Sequence, residues 1–235
     1  VGLDKIDLNA ANENGIAVRN CLGVNHSTVA EHVFALLLEN LKQIGIEEDF
    51  VRTGYWKRLT GRELKGKTLG IVGLGRIGKE VAKRASAFDM HIQAFDKFWD
   101  DKFANTWNVK RAPEIEDLAE TCDIVTLHCN LDDQSSELVG ESFFSSMHEA
   151  MILVNTARAG LVSRKALTQA LEQNESLVYL SDVWFEEPPD KEDPLIKHER
   201  VFVTPHIGSR TFENVQNQGL MAVENLISYL KENSE

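Results

Sequence analysis

Three glycines, at positions 73, 75 and 78, lie between the apolar run TLGIV and a stretch with helical periodicity. Gly73 permits a tight turn, Gly75 lets backbone amides approach a pyrophosphate, and Gly78 lets the helix pack close to the strand. The amides at the N-terminus of that helix would face the bound anion. This spacing predicts a dinucleotide site, and the alternative is a tight strand-to-helix turn that binds nothing.

A carboxylate, Asp96, ends the next apolar run after the glycines. At that place a carboxylate accepts hydrogen bonds from the adenosine ribose hydroxyls and repels a 2′-phosphate. The sequence therefore favours NAD over NADP. Asp96 could equally be a solvated carboxylate at the end of a strand, and Lys97 beside it would soften the repulsion.

Short apolar runs alternate with helical stretches after the glycine turn and predict a doubly wound parallel α/β sheet. We expect strands at positions 68–73, 91–95, 124–128, 150–154, 178–183 and 201–203. Before them, the run GIAVRNCLG predicts a half-buried strand. A helix should run from Thr28 to about Phe50, with Thr28 and Glu31 as a capping box, and an amphipathic helix should span about 211–231.

Composition excludes several classes of function. The 235 residues include 25 Lys and Arg against 37 Asp and Glu, a net charge of −12, which disfavours nucleic acid and acidic membrane surfaces. Three cysteines, with neither CxxC spacing nor a nearby pair of histidines, argue against a disulfide framework and a zinc site, and we expect no metal. With no apolar run long enough to span a bilayer and no signal pattern, we expect a cytoplasmic protein.

Four segments, GLGRIG, VNTARAGLV, SDVWFEEPP and TPHIGS, occur in this order. With them, the chain resembles the D-isomer-specific 2-hydroxyacid dehydrogenases, which include phosphoglycerate, glycerate and glyoxylate/hydroxypyruvate enzymes. The resemblance implies a Rossmann-type NAD-binding domain at 25–208. It also implies a remnant of a second, substrate-binding domain at 1–24 and a terminal helix returning to that domain at 209–235.

The resemblance assigns the chemistry to Arg158, Glu187 and His206. Reduction of a 2-keto acid needs a proton at the carbonyl oxygen, which an imidazolium can supply while a neighbouring carboxylate favours its charged form. A guanidinium can hold the substrate carboxylate through two hydrogen bonds. Taken singly, the three could be a surface charge, part of an acidic loop and an ordinary loop histidine.

The remaining contacts are implied by the same resemblance. Cofactor contacts fall on Arg76 and Ile77 at the pyrophosphate, Cys129 and Asn130 at the adenosine and its ribose, Thr156 and Ala157 at the nicotinamide ribose, and Asp182 and Gly208 at the carboxamide. Val1 and Gly2 would meet the substrate together with Arg158. The histidines at positions 32, 91 and 128 receive no chemical role.

The resemblance predicts an NAD-dependent oxidoreductase of small D-2-hydroxy acids that forms a homodimer. The alternative is an NAD(H)-sensing interaction protein resembling the C-terminal-binding corepressors, to which the stretch VTLHCNL is somewhat similar. Because the family's substrate domain begins before the segment VGLDKID, we expect the chain as given to bind cofactor but to turn over little substrate.

Overall fold

A parallel sheet of seven strands forms the centre of the computed structural model, which describes residues 2–3, 6–148 and 150–233. The strands are β1 (Thr68–Val72), β2 (His91–Phe95), β3 (Val109–Arg111), β4 (Ile124–Leu127), β5 (Ile152–Asn155), β6 (Val178–Ser181) and β7 (Val201–Val203). Their order across the sheet is β3-β2-β1-β4-β5-β6-β7. This order confirms the predicted doubly wound sheet, with its reversal between β1 and β4.

Helices cover both faces of the sheet. They are α1 (Leu8–Glu13), α2 (His26–Lys42), α3 (Ile44–Arg52), α4 (Arg76–Ala87), α5 (Asp101–Trp107), α6 (Ile115–Thr121), α7 (Glu141–Ser145), α8 (Arg164–Gln173) and α9 (Phe212–Glu232), with a short 3₁₀ turn at Ala159–Leu161. Among the described residues, no helix combines the length and the apolar character needed to cross a membrane.

Two hydrophobic clusters hold these layers together. On one face, α6, α7 and α8 bury Leu118, Phe143 and Leu167 against the sheet. On the other, α2 and α4 bury side chains such as Leu37 and Val81. Because both faces are covered, β1 and β4 are almost continuously apolar, as expected of buried parallel strands.

Three local predictions about the N-terminal part and the sheet are wrong. The run GIAVRNCLG forms no strand within the described residues, and a short strand that we did not predict, β3, lies at the sheet edge. The long helix is interrupted at Gln43, whose φ of 54° lies in the left-handed region, so that α2 ends and α3 begins there. The chain continues past Gln43 in a new direction because a left-handed residue cannot extend a right-handed helix.

The predicted capping box at Thr28 is also wrong. The N-cap of α2 is Asn25, three residues earlier, and it makes no side-chain capping bond. The Thr28 hydroxyl instead donates to the Gly208 carbonyl, 3.3 Å away. A contact across so long a stretch of sequence outcompetes the local cap.

Candidate active site and cofactor site

One row of paired residues closes six of the strands at the same edge of the sheet. The row runs Phe95, Val72, Leu127, Asn155, Ser181 and Val203, and each of these is the last residue of its strand. The next residues, which are Asp96, Gly73, His128, Thr156, Asp182 and Thr204, are therefore side by side. The register alone brings the predicted cofactor and catalytic segments to one edge.

The glycine turn between β1 and α4 has no room for side chains at two positions. Gly73 has a φ of 95°, and a Cβ there would lie 2.7 Å from the backbone nitrogen of Cys129. A Cβ on Gly78 would lie 2.1 Å from the carbonyl oxygen of Gly73. At Gly75, the N-cap of α4, the same atom would meet open space. The turn is thus packed on the sheet side and open at the helix N-terminus, where Arg76 and Ile77 begin the helix.

Asp96 is bonded to the glycine turn. Its Oδ2 accepts from the backbone N–H of Leu74 at 2.5 Å, and its Oδ1 accepts from that of Phe98 at 2.6 Å. A carboxylate has about four acceptor positions, so capacity for ribose hydroxyls remains. The Lys97 ammonium donates to the Gln134 side chain at 2.8 Å.

The middle of the row carries a buried hydroxyl. Oγ1 of Thr156 has no hydrogen-bond partner in the described part of the chain, and the residue is only 9% exposed. A buried polar atom without a partner costs about 1–3 kcal/mol, so a polar ligand is expected there. Ala157 follows, with its N–H bonded to the Asn155 side chain at 3.1 Å. The orphaned hydroxyl and the open helix N-terminus fit a dinucleotide bound along this edge.

Cys129 and Asn130 lie beyond β4, next to the glycine turn. The Asn130 carbonyl accepts from the Ser135 hydroxyl at 2.7 Å, which fixes the loop. Burial raises the pKa of the Cys129 thiol to about 11, so the thiol is neutral at physiological pH. A neutral, half-buried thiol suits an apolar wall better than a nucleophile.

Glu187 and His206 meet in space. Nδ1 of His206 lies 3.0 Å from Oε2 and 3.2 Å from Oε1 of Glu187. The backbone N–H of Trp184 donates to Oε1 at 3.0 Å and orients the carboxylate. The imidazole is 46% exposed, which leaves it accessible to a substrate. With Nδ1 against the carboxylate, Nε2 is the nitrogen available to a carbonyl oxygen.

Asp182 binds the loop that carries His206. Its oxygens accept from the N–H groups of Ile207 (2.8 Å) and Gly208 (2.7 Å) and from the Thr204 hydroxyl (2.6 Å). Burial raises the pKa of this carboxyl, but hydrogen bonds from His32, Thr204 and the two amides outweigh it, and the pKa is lowered. These donors take up most of the acceptor positions of Asp182. Its predicted contact with the cofactor carboxamide stays a prediction.

Arg158 lies three residues after the end of β5 and is half-buried. Its carbonyl accepts from the Asn155 side chain at 2.9 Å, and its Nη1 donates to the Ala157 carbonyl at 2.7 Å. The turn is thus fixed at the same edge as His206. Gly2 is exposed, and Val1 lies outside the described residues, so the structure does not place the predicted substrate contact at the chain start.

Sequence reasoning missed two polar residues of this edge, His32 and Thr204. Nε2 of His32 lies 3.1 Å from the Thr204 hydroxyl oxygen and 3.3 Å from Oδ1 of Asp182. His32 is on α2, far from the strand ends in sequence. The one sequence feature that could have pointed to His32 is its position as a polar residue within the apolar stripe of a helix.

The region of residues 34–208 matches the sequence model of the D-isomer specific 2-hydroxyacid dehydrogenase NAD binding domain. The chain belongs to this family. It is 37% identical over 233 residues to D-3-phosphoglycerate dehydrogenase of Archaeoglobus fulgidus, covering 98% of this chain and 44% of that protein. It is also 37% identical over 235 residues to glyoxylate reductase of Korarchaeum cryptofilum, covering 97% of this chain and 70% of that one.

Solved structures of the family share the fold. A Thermus thermophilus protein superposes with a TM-score of 0.88 at 34% identity, over 99% of this chain and 74% of that one. D-lactate dehydrogenase of Aquifex aeolicus, solved with NAD and lactic acid, superposes with a TM-score of 0.88 at 26% identity, over 99% of this chain and 74% of that one. The chain thus contains the NAD-binding domain of the family and spans less than half of the phosphoglycerate dehydrogenase.

Proposed function

We propose that the protein transfers a hydride between NAD(H) and a small D-2-hydroxy acid or 2-keto acid. The 3.0 Å contact of His206 with Glu187 carries this proposal. It places a carboxylate against Nδ1 of an exposed imidazole, beside an edge fitted for a dinucleotide. The names of the relatives, glyoxylate reductase and D-lactate dehydrogenase, agree with a small 2-keto acid as substrate.

His206 and Arg158 would divide the work on the substrate. Bound NADH supplies the hydride that adds to C2 of the keto acid. Nε2 of His206 donates the proton to the carbonyl oxygen, and Glu187 stabilises the imidazolium before the transfer. Arg158 holds the substrate carboxylate and polarises the carbonyl oxygen, a bidentate task for which lysine is poorly suited.

The cofactor residues follow the strand ends. The pyrophosphate would lie on the amides of Arg76 and Ile77, next to Gly73, Gly75 and Gly78. Asp96 would accept from the adenosine ribose and disfavour NADPH. The other predicted contacts are Cys129, Asn130, Thr156, Ala157, Asp182 and Gly208.

The test separates binding from chemistry. NADH should quench tryptophan fluorescence of the 235-residue chain, and Gly75→Asp, which places a carboxylate at the pyrophosphate site, should abolish the quenching. Gly219→Asp is the matched control, because a Cβ there also meets open space, on α9 rather than at the strand ends. Equal quenching by the wild type and Gly75→Asp would contradict the site.

Chemistry is tested in the protein expressed from its complete gene. Oxidation of NADH with glyoxylate, hydroxypyruvate or pyruvate is followed at 340 nm. His206→Ala should lower kcat by about 10²–10⁴, the usual contribution of general acid catalysis. If kcat were unchanged, His206 would not be the acid.

We also propose a homodimer in the cytoplasm. Support for self-association comes from apolar side chains exposed on and after α3, such as Ile44, Val51 and Trp56, the last 84% exposed. The three cysteines are free thiols, in agreement with a reducing compartment. Sedimentation at micromolar concentration tests the dimer.

No specific observation favours the alternative of an interaction protein like the C-terminal-binding corepressors.

A further inference from the structure

The loop that carries His206 has a backbone that needs support. His206 has a φ of 54°, a left-handed conformation that non-glycine residues rarely adopt. Such a conformation costs about 1 kcal/mol or more and persists only where surrounding contacts enforce it. The bonds from the Ile207 and Gly208 amides to Asp182 supply part of that enforcement.

His32 lies behind this carboxylate. The hydroxyl proton of Thr204 goes to Oδ1 of Asp182 at 2.6 Å. Nε2 of His32, 3.1 Å from the same hydroxyl oxygen, must therefore be the donor, because a hydroxyl has only one proton. The His32 ring thus donates into the Thr204–Asp182 pair from helix α2.

His32 also fills the space beside Gly208. A Cβ on Gly208 would lie 3.2 Å from Cδ2 of His32 and 2.9 Å from Oδ2 of Asp182. One helical turn earlier, Thr28 donates to the Gly208 carbonyl. Thr28 and His32 lie four residues apart on one face of α2, so this face contacts both the buried carboxylate and the backbone of the loop.

We propose that His32 is a positioning residue for His206, acting through Asp182. The side chains of His32 and Asp182 are 14% and 2% exposed, so water cannot replace the missing donor easily if His32 is removed. The carboxylate would then hold the two loop amides less firmly, and His206 would leave its left-handed conformation and its place opposite Glu187. The catalytic meaning of this role rests on the proposed function.

The first experiment measures the loop without any catalysis. Amide hydrogen exchange of the ¹⁵N-labelled 235-residue chain is compared for the wild type, His32→Leu and His32→Gln. Leucine fills space but cannot donate, whereas the glutamine amide can donate from a similar position. We expect exchange at Ile207 and Gly208 to be about tenfold faster or more in His32→Leu, from the loss of a bond to a charged group, and close to normal in His32→Gln.

The exchange of buried strand amides, such as that of Leu153, separates positioning from general destabilisation. His91→Leu, at the exposed start of β2, is the control and should change nothing at the loop. Faster exchange of the loop amides relative to Leu153 supports the proposal. Unchanged exchange at Ile207 and Gly208, or an increase there that equals the increase at Leu153, would overturn the proposal.

The second experiment measures catalysis in the protein from the complete gene. His32→Leu should lower kcat at least tenfold, and His32→Gln should recover most of the loss. A loss equal in both variants would overturn the proposal. If the wild type reduced no 2-keto acid, the proposed function would fail, and the exchange data would still decide the role of His32.

Discussion

Nδ1 of His206 lies 3.0 Å from Oε2 of Glu187, although the two residues follow different strands, β7 and β6. The parallel register of these strands, with Ser181 opposite Val203, brings their following loops together. The pair therefore depends on the sheet rather than on local sequence. The proposed proton transfer depends on the negative charge that Glu187 places beside the imidazole.

Glu187→Gln tests that dependence. A neutral amide does not attract the positive charge of the imidazolium, so kcat for keto-acid reduction should fall by roughly tenfold or more, the loss of one bond to a charged group. NADH oxidation at a saturating keto-acid concentration measures this loss. Glu186→Gln, on the exposed neighbour, should keep the wild-type kcat, and an unchanged kcat in Glu187→Gln would remove Glu187 from its role.

Arg158→Lys should weaken substrate binding. A lysine keeps the charge but loses the planar fork that matches a carboxylate. The KM for the keto acid should rise by roughly 10–100-fold, the loss of one strong bond to a charged group, while the affinity for NADH stays constant. Arg52→Lys, which changes an arginine paired with Glu48 on α3, is the control. If the KM for the keto acid were the same in Arg158→Lys and Arg52→Lys, Arg158 would not hold the substrate carboxylate.

Asp96→Ala should reduce the preference for NADH over NADPH. In the proposed site the carboxylate would accept from the ribose diol and repel a 2′-phosphate, so its removal should weaken NADH binding and strengthen NADPH binding. Fluorescence titration of the chain with each cofactor gives the ratio of Kd values. Asp49→Ala, on the exposed side of α3, should leave that ratio unchanged. Tighter binding of NADPH by the wild type would show that Asp96 does not select the cofactor.

Two glycine-to-alanine changes should have opposite effects on stability. At Gly78 the added Cβ meets the Gly73 carbonyl oxygen at 2.1 Å, so Gly78→Ala should lower the free energy of unfolding by roughly 1–3 kcal/mol. At Gly219, within α9, nothing lies within 4 Å, and Gly219→Ala should raise it by about 0.5–1 kcal/mol through helix propensity. Urea unfolding measures both. Equal changes in the two variants would contradict the close approach of α4 to the glycine turn.

The stability of the chain should depend on pH through His128. Burial lowers the pKa of His128 to about 3, against about 6.5 in an unfolded chain. Between these values the unfolded chain binds a proton that the folded chain does not, so the free energy of unfolding falls as the pH falls. This one group contributes a slope of up to about 1.4 kcal/mol per pH unit.

Urea unfolding at several pH values between 4 and 6.5 compares the wild type with His128→Gln. The variant should show the shallower dependence, because it has no proton to gain on unfolding. His91→Gln, on an exposed histidine, should keep the slope of the wild type. Parallel curves for the wild type and His128→Gln would show that His128 titrates alike in both states.

The glycine turn was predictable because glycine spacing reports backbone geometry directly. Gly73 has the positive φ and the close backbone contact that its role requires, and Gly78 has no room for a side chain. Four of the six predicted strands, β1, β4, β5 and β6, are almost fully buried, and their apolar runs are the clearest in the sequence. β3 escaped prediction because, of its three residues, only Val109 is buried and the other two are charged.

Other features depend on contacts that local patterns cannot reveal. Gln43 shows no sign of a helix break, and only the structure reveals its left-handed backbone. Thr28 and Glu31 have the spacing of a capping box, yet the threonine bonds to Gly208, 180 residues away. The sequence assigned Asp182 to the cofactor. Its bonds to the loop amides could be predicted only from the position of β7, which that loop follows.

The common row of strand ends has a consequence for redesign. In the proposed assignment, the adenosine contacts would lie after β1 and β2, whereas the loops after β5, β6 and β7 would carry the nicotinamide contacts and the groups for the substrate. Grafting a foreign loop beyond Asn155, Ser181 or Val203 leaves every paired residue of the sheet in place. An engineer could therefore change the residues after β1 and β2 to alter the choice between NAD and NADP without replacing the loops that carry Arg158, Glu187 and His206.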